Sequence, residues 1–301
     1  MKPIIKWVGG KSQIIEQILE KFPDIIENYY EPFAGGGSVF LALLSNQTIT
    51  IKGNMYISDK NQGLIELYQD IKNNVEKLIK KLNKIVSLFE SAKNTQHAKR
   101  HQFIFQEYEF AKEIAEKRGK TALYYYFRNW YNSHKQLPKC AKSALFIFLN
   151  KTCFRGLYRE GNNGFNVPYG NYNSPKIFNP DELRRLHNAF NKYNIHFICQ
   201  DFIDTLPKIK NGDFVYLDPP YCPVNKTSFV DYSKNGFDKH EELAKMCTEI
   251  NQKKIKFLAS NAYCQQVIDL YKNFNIKKIK CKRLINSKTP QSHEYEVLIS
   301  N

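Results

Sequence analysis

The run Asn28-Tyr29-Tyr30-Glu31-Pro32-Phe33-Ala34-Gly35-Gly36-Gly37-Ser38-Val39-Phe40 passes from a short apolar stretch into three glycines and then into a helix-forming sequence. A strand that turns on glycines into a helix is the opening unit of an α/β fold, and the turn lets a ligand lie against backbone where a Cβ would intrude. Outward from it, 28–32, 55–58, 196–199, 213–217, 256–259 and 296–300 are short apolar runs bounded by polar or turn residues, and they predict strands of one sheet.

The strands are interrupted. Between 61 and 176 the chain changes to charged amphipathic helices, 64–89 and 103–118, followed by Tyr124-Tyr125-Tyr126-Phe127. A hairpin-like segment over 157–169, with Gly161-Asn162-Asn163-Gly164 at its tip, closes this region. The expected organisation is an α/β domain formed by 1–60 and 177–301, carrying a mostly helical insertion at 61–176.

With 45 Lys and Arg against 29 Asp and Glu, the formal charge is +16, and a polyanionic partner, nucleic acid first, is expected. Surface lysines also follow from a Lys/Asn/Ile-heavy coding style, so charge supports this reading without carrying it. Seven cysteines contain no C-x-x-C pair, which argues against a disulfide framework and a zinc site. The histidines lack ligand spacing: His97 and His101 stand at i and i+4 with no third companion, so no metal is expected. Residues 1–10 lack an apolar signal core and no stretch reaches the length of a membrane span, which predicts a soluble, intracellular protein.

Asp59, 24 residues beyond Gly35 and at the end of the next predicted strand, is placed to accept hydrogen bonds from ribose hydroxyls. Phosphate-binding patterns fail. A P-loop ending in Gly10-Lys11-Ser12 needs glycine where Ile5 stands, and a G-x-G-x-x-G frame from Gly35 meets Phe40 at its third glycine. A cofactor without a pyrophosphate is favoured.

Asp218-Pro219-Pro220-Tyr221 follows the strand at 213–217 and is the most informative tetrapeptide of the chain. The lone pair of an adenine N6 amine is delocalised into the ring, so it attacks only when its geometry is drawn toward tetrahedral. A carboxylate from Asp218 and the carbonyl of Pro219, each accepting one N–H, would do that. Pro220 stiffens the turn, and Tyr221 can stack on the base.

These elements together resemble the Dam-type, alpha-class, adenine-N6 DNA methyltransferases, in which the cofactor motif precedes the recognition insertion and the catalytic motif follows it. The resemblance spans nearly the whole chain. It rests on 6–11 (Lys6-Trp7-Val8-Gly9-Gly10-Lys11), 31–38, 149–159 (Leu149 through Phe154-Arg155-Gly156-Leu157-Tyr158-Arg159), Phe165-Asn166-Val167-Pro168-Tyr169-Gly170, and Asp218 to Tyr221. The fold it implies is a Rossmann-like S-adenosylmethionine-dependent methyltransferase domain with an inserted, mostly helical target-recognition domain.

The resemblance also implies roles. Trp7 and Lys11 match positions lining the methionine end of the cofactor pocket; Phe33, Gly35, Gly37 and Ser38 match the glycine turn; Asp59 matches the ribose contact and Asp201 the acceptor for the cofactor's adenine amine, with Asp218 adjoining the cofactor. S-adenosylhomocysteine is the implied product. Phe229, Tyr232 and Phe237 keep the spacing of a loop covering the flipped base, which is required because N6 lies inside the duplex. Phe154 and Arg155 match the contact beside that base, while Leu157 and Arg159, two apart on an extended segment, suit a thymine methyl and the O6/N7 edge of guanine. Lys6 matches the contact to the first base, and the insertion helices and the basic strand 277–283, which ends in Arg283 and is followed by Ser287 and Lys288, suit phosphates.

Lys6, Leu157 and Arg159 have the residue types of GATC-specific members. Arg155 departs from the common asparagine, so CATG stays open as a target. Methylation of RNA or of protein glutamine is a further alternative, one that often uses Asn where this chain has Asp218. The expected partner is double-stranded DNA, bound by a monomer or weak dimer. The settings consistent with this are the cytoplasm or nucleoid of a bacterium, or the host cell or virion of a virus. Restriction-modification, correction of replication errors and protection of a viral genome all stay open as roles.

Overall fold

The computed structural model describes residues 1–94, 108–133, 137–172, 174–223, 237–282 and 293–301, and the chain divides into two compact units. The first holds Met1–Lys2, Gly9–Gln62 and Tyr193–Asn301; the second holds Pro3–Val8 and Gly63–Lys192.

The first unit is built on a seven-stranded sheet. From edge to edge its strands are Asn275–Lys282, His293–Ser300, Lys256–Ala262, Phe214–Leu217, Tyr29–Glu31, Met55–Asp59 and Ile195–Cys199. The five from Lys256–Ala262 onward pair in parallel, while His293–Ser300 runs antiparallel to both neighbours. All six predicted strands are present, because central parallel strands are covered on both faces and read as unbroken apolar runs. Phe214–Leu217 is buried at every position.

Chain order explains where a ligand can enter. From Tyr29–Glu31 the chain moves to Met55–Asp59 and Ile195–Cys199 on one side, then returns to place Phe214–Leu217 on the other. That reversal opens a crevice at the carboxyl ends of the two central strands. Beneath it, Val215, Leu217, Phe257, Val297 and Ile299 form the core with Leu243 and Cys247 of the helix His240–Gln252. Each such apolar side chain contributes about 1.5–3 kcal/mol by leaving water.

The basic strand expected at 277–283 is the edge strand Asn275–Lys282. Lys277, Lys278 and Lys280 are exposed while Ile279 and Cys281 are buried. Lysines on an edge strand oppose unwanted pairing with another chain. A separate two-residue parallel ladder, Ile25–Ile26 with Thr50–Ile51, was too short to show in the sequence.

The second unit contains the helices Gln62–Ser91, Tyr108–Tyr131, Ala141–Thr152 and Pro180–Lys192. The described part of the helix expected at 103–118 starts at Tyr108 and ends where expected, at Gly119, whose φ of 78° and ψ of −173° break it; a second helical stretch, which the sequence did not show, carries the aromatic run to Tyr131. Tyr124, Tyr126 and Phe127 are fully buried, and Phe127 and Phe89 both meet the ring of Phe148 at 5.1 Å. Ring burial, rather than amphipathic period, therefore sets this helix. Ala141–Thr152 escaped the reading for a related reason: it is buried at nearly every position and shows no polar face.

The expected hairpin is present as Glu160–Gly161 paired with Gly164–Phe165. Gly164 has φ 83°, and a Cβ there would lie 2.7 Å from Oδ1 of Asn132. Asn132 in turn donates to the Phe165 carbonyl at 2.8 Å and accepts from the Phe165 N–H at 2.9 Å, which staples the hairpin to its helix.

Candidate active site

The glycine turn and the Asp218 tetrapeptide occupy the carboxyl ends of the adjacent strands Tyr29–Glu31 and Phe214–Leu217. Gly35 (φ 47°) and Gly37 (φ 82°) both adopt left-handed backbone, and Gly37 caps the helix Ser38–Leu43. A side chain at either position would be strained. Ser38, the first helical residue, is partly buried.

Asp59 closes the turn from the next strand. Its Oδ2 accepts the Gly35 N–H at 2.9 Å and its Oδ1 accepts the Asn61 N–H at 2.9 Å. Burial raises its pKa, and the N–H groups of Asn61, Gly35 and Lys60 act against that rise. The carboxylate is thus fixed in orientation at the strand end, with lone pairs left on each oxygen to accept further hydrogen bonds.

One strand further, Asp201 caps the short helix Phe202–Thr205 by accepting the Ile203 N–H at 3.3 Å. It also binds Lys60 at 3.1 Å and Lys239 at 3.2 Å. Burial opposes its ionisation, yet Lys60, the Ile203 N–H and Lys239 outweigh burial and hold its pKa below the usual value. Phe33 packs beside it on Phe202 at 5.3 Å and meets Phe237 edge-on at 5.9 Å. Phe229 and Tyr232 lie outside the described residues.

Asp218 is gripped from two sides. Nζ of Lys11, a lysine only 3% exposed, sits 2.7 Å from Oδ2, and the Ser260 hydroxyl donates to Oδ1 at 2.8 Å. Burial raises the Asp218 pKa against the pull of Lys11 and Ser260. Lys11 also donates to the Gly9 carbonyl and lies 4.8 Å over the Tyr221 ring. Pro219 is buried, Pro220 is partly buried, and Cys222 N–H is held by Asn261 Oδ1 at 3.0 Å, so the turn cannot splay.

Two more carboxyls border this group, and the sequence reading gave neither a role. Glu31 is buried, accepts from the Tyr29 hydroxyl at 2.6 Å, and is pushed by burial up to about 8. Glu296 accepts the Tyr221 hydroxyl at 2.8 Å, and burial raises it too. Their signal was a polar residue within an apolar strand: Glu31 ends one, and Glu296 interrupts another.

The arrangement suits a cationic, nucleoside-containing ligand without phosphates. It joins a glycine cradle, oriented carboxylates at the ends of successive strands, and a carboxylate beside the crevice. The D12 class N6 adenine-specific DNA methyltransferase profile matches residues 7–285. The chain belongs to this family. A relative, the type II methyltransferase M.MjaIII of Methanocaldococcus jannaschii, is 37% identical over 314 residues, covering 100% of this chain and 99% of that protein. The type II methyltransferase M1.LlaDCHI of Lactococcus lactis subsp. cremoris is 28% identical, covering 100% and 95%. The DNA adenine methylase of Escherichia coli K12 is 27% identical, covering 95% and 90%.

Membership in the D12 class makes the chain an adenine-specific DNA methyltransferase that uses S-adenosylmethionine, and the glycine cradle with Asp59 fits that cofactor. Among the described residues, no group of three or more His, Cys, Asp or Glu side chains is placed to hold a metal ion. Among them too, no helix is long and apolar enough to cross a membrane.

The second unit carries the remaining candidates. Trp7 packs there at 5.0 Å from the Tyr158 ring and 6.3 Å from Phe146. Lys6 is clamped by the Asn150 side chain, which accepts its N–H and donates to its carbonyl, both at 2.7 Å. Gly156 (φ 66°) makes room for it: a Cβ there would lie 2.3 Å from the Lys6 stem. Phe154 is 45% exposed, and the Arg155 guanidinium lies 5.1 Å from its ring. Leu157 is partly buried with extended backbone (φ −71°, ψ 152°), and Arg159 is exposed, its Nε donating to Asn166 Oδ1 at 2.7 Å. Arg283, Ser287 and Lys288 lie outside the described residues, as do His97 and His101.

Proposed function

We propose that the enzyme methylates N6 of the adenine in duplex GATC sites after flipping that adenine out of the helix. The observation that supports the chemistry is the Asp218 carboxylate, held by Lys11 and Ser260 at the end of Phe214–Leu217 and followed in the chain by the Pro219 carbonyl. Asp218 accepts a hydrogen bond from one N6 N–H and the Pro219 carbonyl accepts one from the other, which draws the amine toward tetrahedral geometry; the proton that the methylated nitrogen sheds passes to solvent. Tyr221 stacks on the flipped base, while Asp59, Asp201, Phe33 and Lys11 hold the cofactor. Bound S-adenosylmethionine supplies a methyl on a sulfonium that departs as a neutral thioether, so no covalent nucleophile or metal is required.

Extruding the base costs a few kcal/mol. In this reading the helical insertion, 61–176, is the target-recognition domain, and the exposed ring of Phe154 with Arg155 beside it stabilises the vacated stack. Lys6 contacts the first guanine, Leu157 the thymine methyl, and Arg159 the guanine opposite the final cytosine. The Asn166 bond to Nε supports that role by fixing the plane of the Arg159 guanidinium. Arg283, Ser287 and Lys288 meet phosphates. The enzyme acts inside the cell as a monomer or weak dimer.

Long-read sequencing of DNA from a host expressing the protein tests this directly. N6-methyladenine is expected at GATC on both strands. Methylation confined to CATG or another palindrome would overturn the target assignment alone, and unmodified DNA would overturn the function.

A further inference from the structure

Ser260 is the only side chain other than Lys11 that hydrogen-bonds the Asp218 carboxylate among the described residues. It is completely buried on Lys256–Ala262, the strand beside the one that delivers Asp218. A buried serine in the apolar run Phe257-Leu258-Ala259-Ser260 costs stability unless its hydroxyl is fully used. Here it is. Its proton goes to Asp218 Oδ1 at 2.8 Å, so the Tyr216 hydroxyl, 2.9 Å away, must donate to the Ser260 oxygen.

The result is a two-step chain, Tyr216 O–H to Ser260 O–H to Asp218, in which each bond polarises the next. Tyr216 is itself completely buried, one residue before Leu217 on the strand that leads into Asp218. The carboxylate is thereby tied sideways to the neighbouring strand as well as along its own. Lys11 alone would not fix it, because an ammonium is a point charge on a flexible stem and leaves the carboxylate free to rotate. Ser260 adds a second, directional hold on the other oxygen.

We infer that Ser260, backed by Tyr216, is a positioning residue that orients the Asp218 carboxylate toward the N6 amine. It touches neither base nor cofactor and acts through Asp218. The inference rests on Asp218 being the amine acceptor. Other charged or titratable groups facing Asp218 are Lys11, Glu31, Glu296, Tyr29, Tyr216 and Tyr221. All of them remain in a Ser260 variant.

The test compares Ser260→Ala, Ser260→Thr, Tyr216→Phe and Asp218→Ala in single-turnover methylation across pH, with cofactor and DNA affinities measured separately. Ser260→Ala should lower the rate roughly 10- to 100-fold, as loss of one hydrogen bond to a charged group does, with both affinities within about threefold. Its acid limb should move to higher pH, because a donor to the carboxylate favours the ionised form. Ser260→Thr, keeping the hydroxyl, should recover most of the rate. Tyr216→Phe should move the limb in the same direction by less, and it decides the matter alone if the serine variants fail to fold. A near-normal rate and an unmoved limb in Ser260→Ala overturn the inference, as does an unmoved limb in Tyr216→Phe or an equal loss in Ser260→Thr. If Asp218→Ala itself stays active, the reading of Asp218 fails instead, so the two failures are distinguishable.

Discussion

Asp218 and Arg159 both stand beside a tight turn, yet their surroundings differ. Asp218 is 18% exposed, with one oxygen on Lys11 and the other on Ser260, whereas Arg159 is exposed and its Nε meets Asn166. The difference matches two physical tasks. A group that reshapes an amine must be aimed before the substrate arrives, because reorganisation during the reaction adds to the barrier. A group that reads base edges must stay in solvent, where it can exchange water for DNA at little cost and discriminate by what it fails to satisfy. Substitutions in the first unit should therefore appear as lost rate or lost cofactor, and those in the second as altered sequence preference.

The largest expected effect is that of Asp218→Ala, which should lower the methyl-transfer rate by about a thousandfold or more while DNA and cofactor affinity stay nearly normal. Stopped-assay rates with separate binding isotherms check it, and near-normal turnover would remove Asp218 from the mechanism. Asp59→Ala comes next. Loss of hydrogen bonds from a charged acceptor should weaken S-adenosylmethionine by about 1.5–3 kcal/mol without changing DNA affinity. Unchanged cofactor affinity by calorimetry would show that Asp59 only closes the glycine turn.

Arg159→Ala probes the other side of the contrast. It should cost about 1–3 kcal/mol of discrimination at the fourth base pair and leave the rate on GATC less affected than the preference for it. Duplexes altered at one position each are the assay. A uniform loss across them would mean that Arg159 contacts phosphate and does not read bases.

The buried side should also show a pH-dependent stability through Glu31. Glu31 is raised by burial from 4.5 to about 8, so it folds neutral. A carboxyl with a raised folded pKa stabilises the fold fully below its unfolded value, and that contribution is lost as pH rises from about 4.5 through about 8. Melting temperature should therefore fall between pH 5 and 8 by a few degrees more in the natural protein than in Glu31→Gln. Equal slopes would place Glu31 outside this linkage.

How much of this was legible in the sequence follows the same division. The central strands announced themselves because parallel strands covered on both faces read as continuous apolar runs, and the glycine turn and Asp218-Pro219-Pro220-Tyr221 stood at their ends. Ser260, Glu296 and the role of Glu31 did not, since their meaning depends on which strands become neighbours, and the pairing of Leu298 with Ser260 joins residues 38 positions apart. In the helical unit, an amphipathic period revealed Gln62–Ser91, but Ala141–Thr152 is buried on nearly every side and has no period to find. Residues 3–8 could not be assigned to the second unit from sequence, because the contacts that join them to it, among them the Asn150 clamp on Lys6 and the packing of Trp7, link residues far apart in the chain.

Arg155 offers the smallest and most diagnostic effect. It holds φ 56° and ψ 11° without being glycine, in a short turn between Cys153 and Leu157. Left-handed backbone is costly for a long side chain and less so for asparagine, whose short amide can bond locally. Strain of this kind persists where the surroundings over-determine it, often at a site that uses the side chain. Arg155→Asn should therefore stabilise the protein by up to about 1 kcal/mol, or roughly 2–4 °C in Tm. If the guanidinium stacked on Phe154 serves DNA, the same variant should bind duplex more weakly and with a salt slope shallower by about one. A gain in Tm with unchanged DNA affinity and salt slope would mean that Arg155 contributes strain and no contact, and the exposed ring of Phe154 would then act without it.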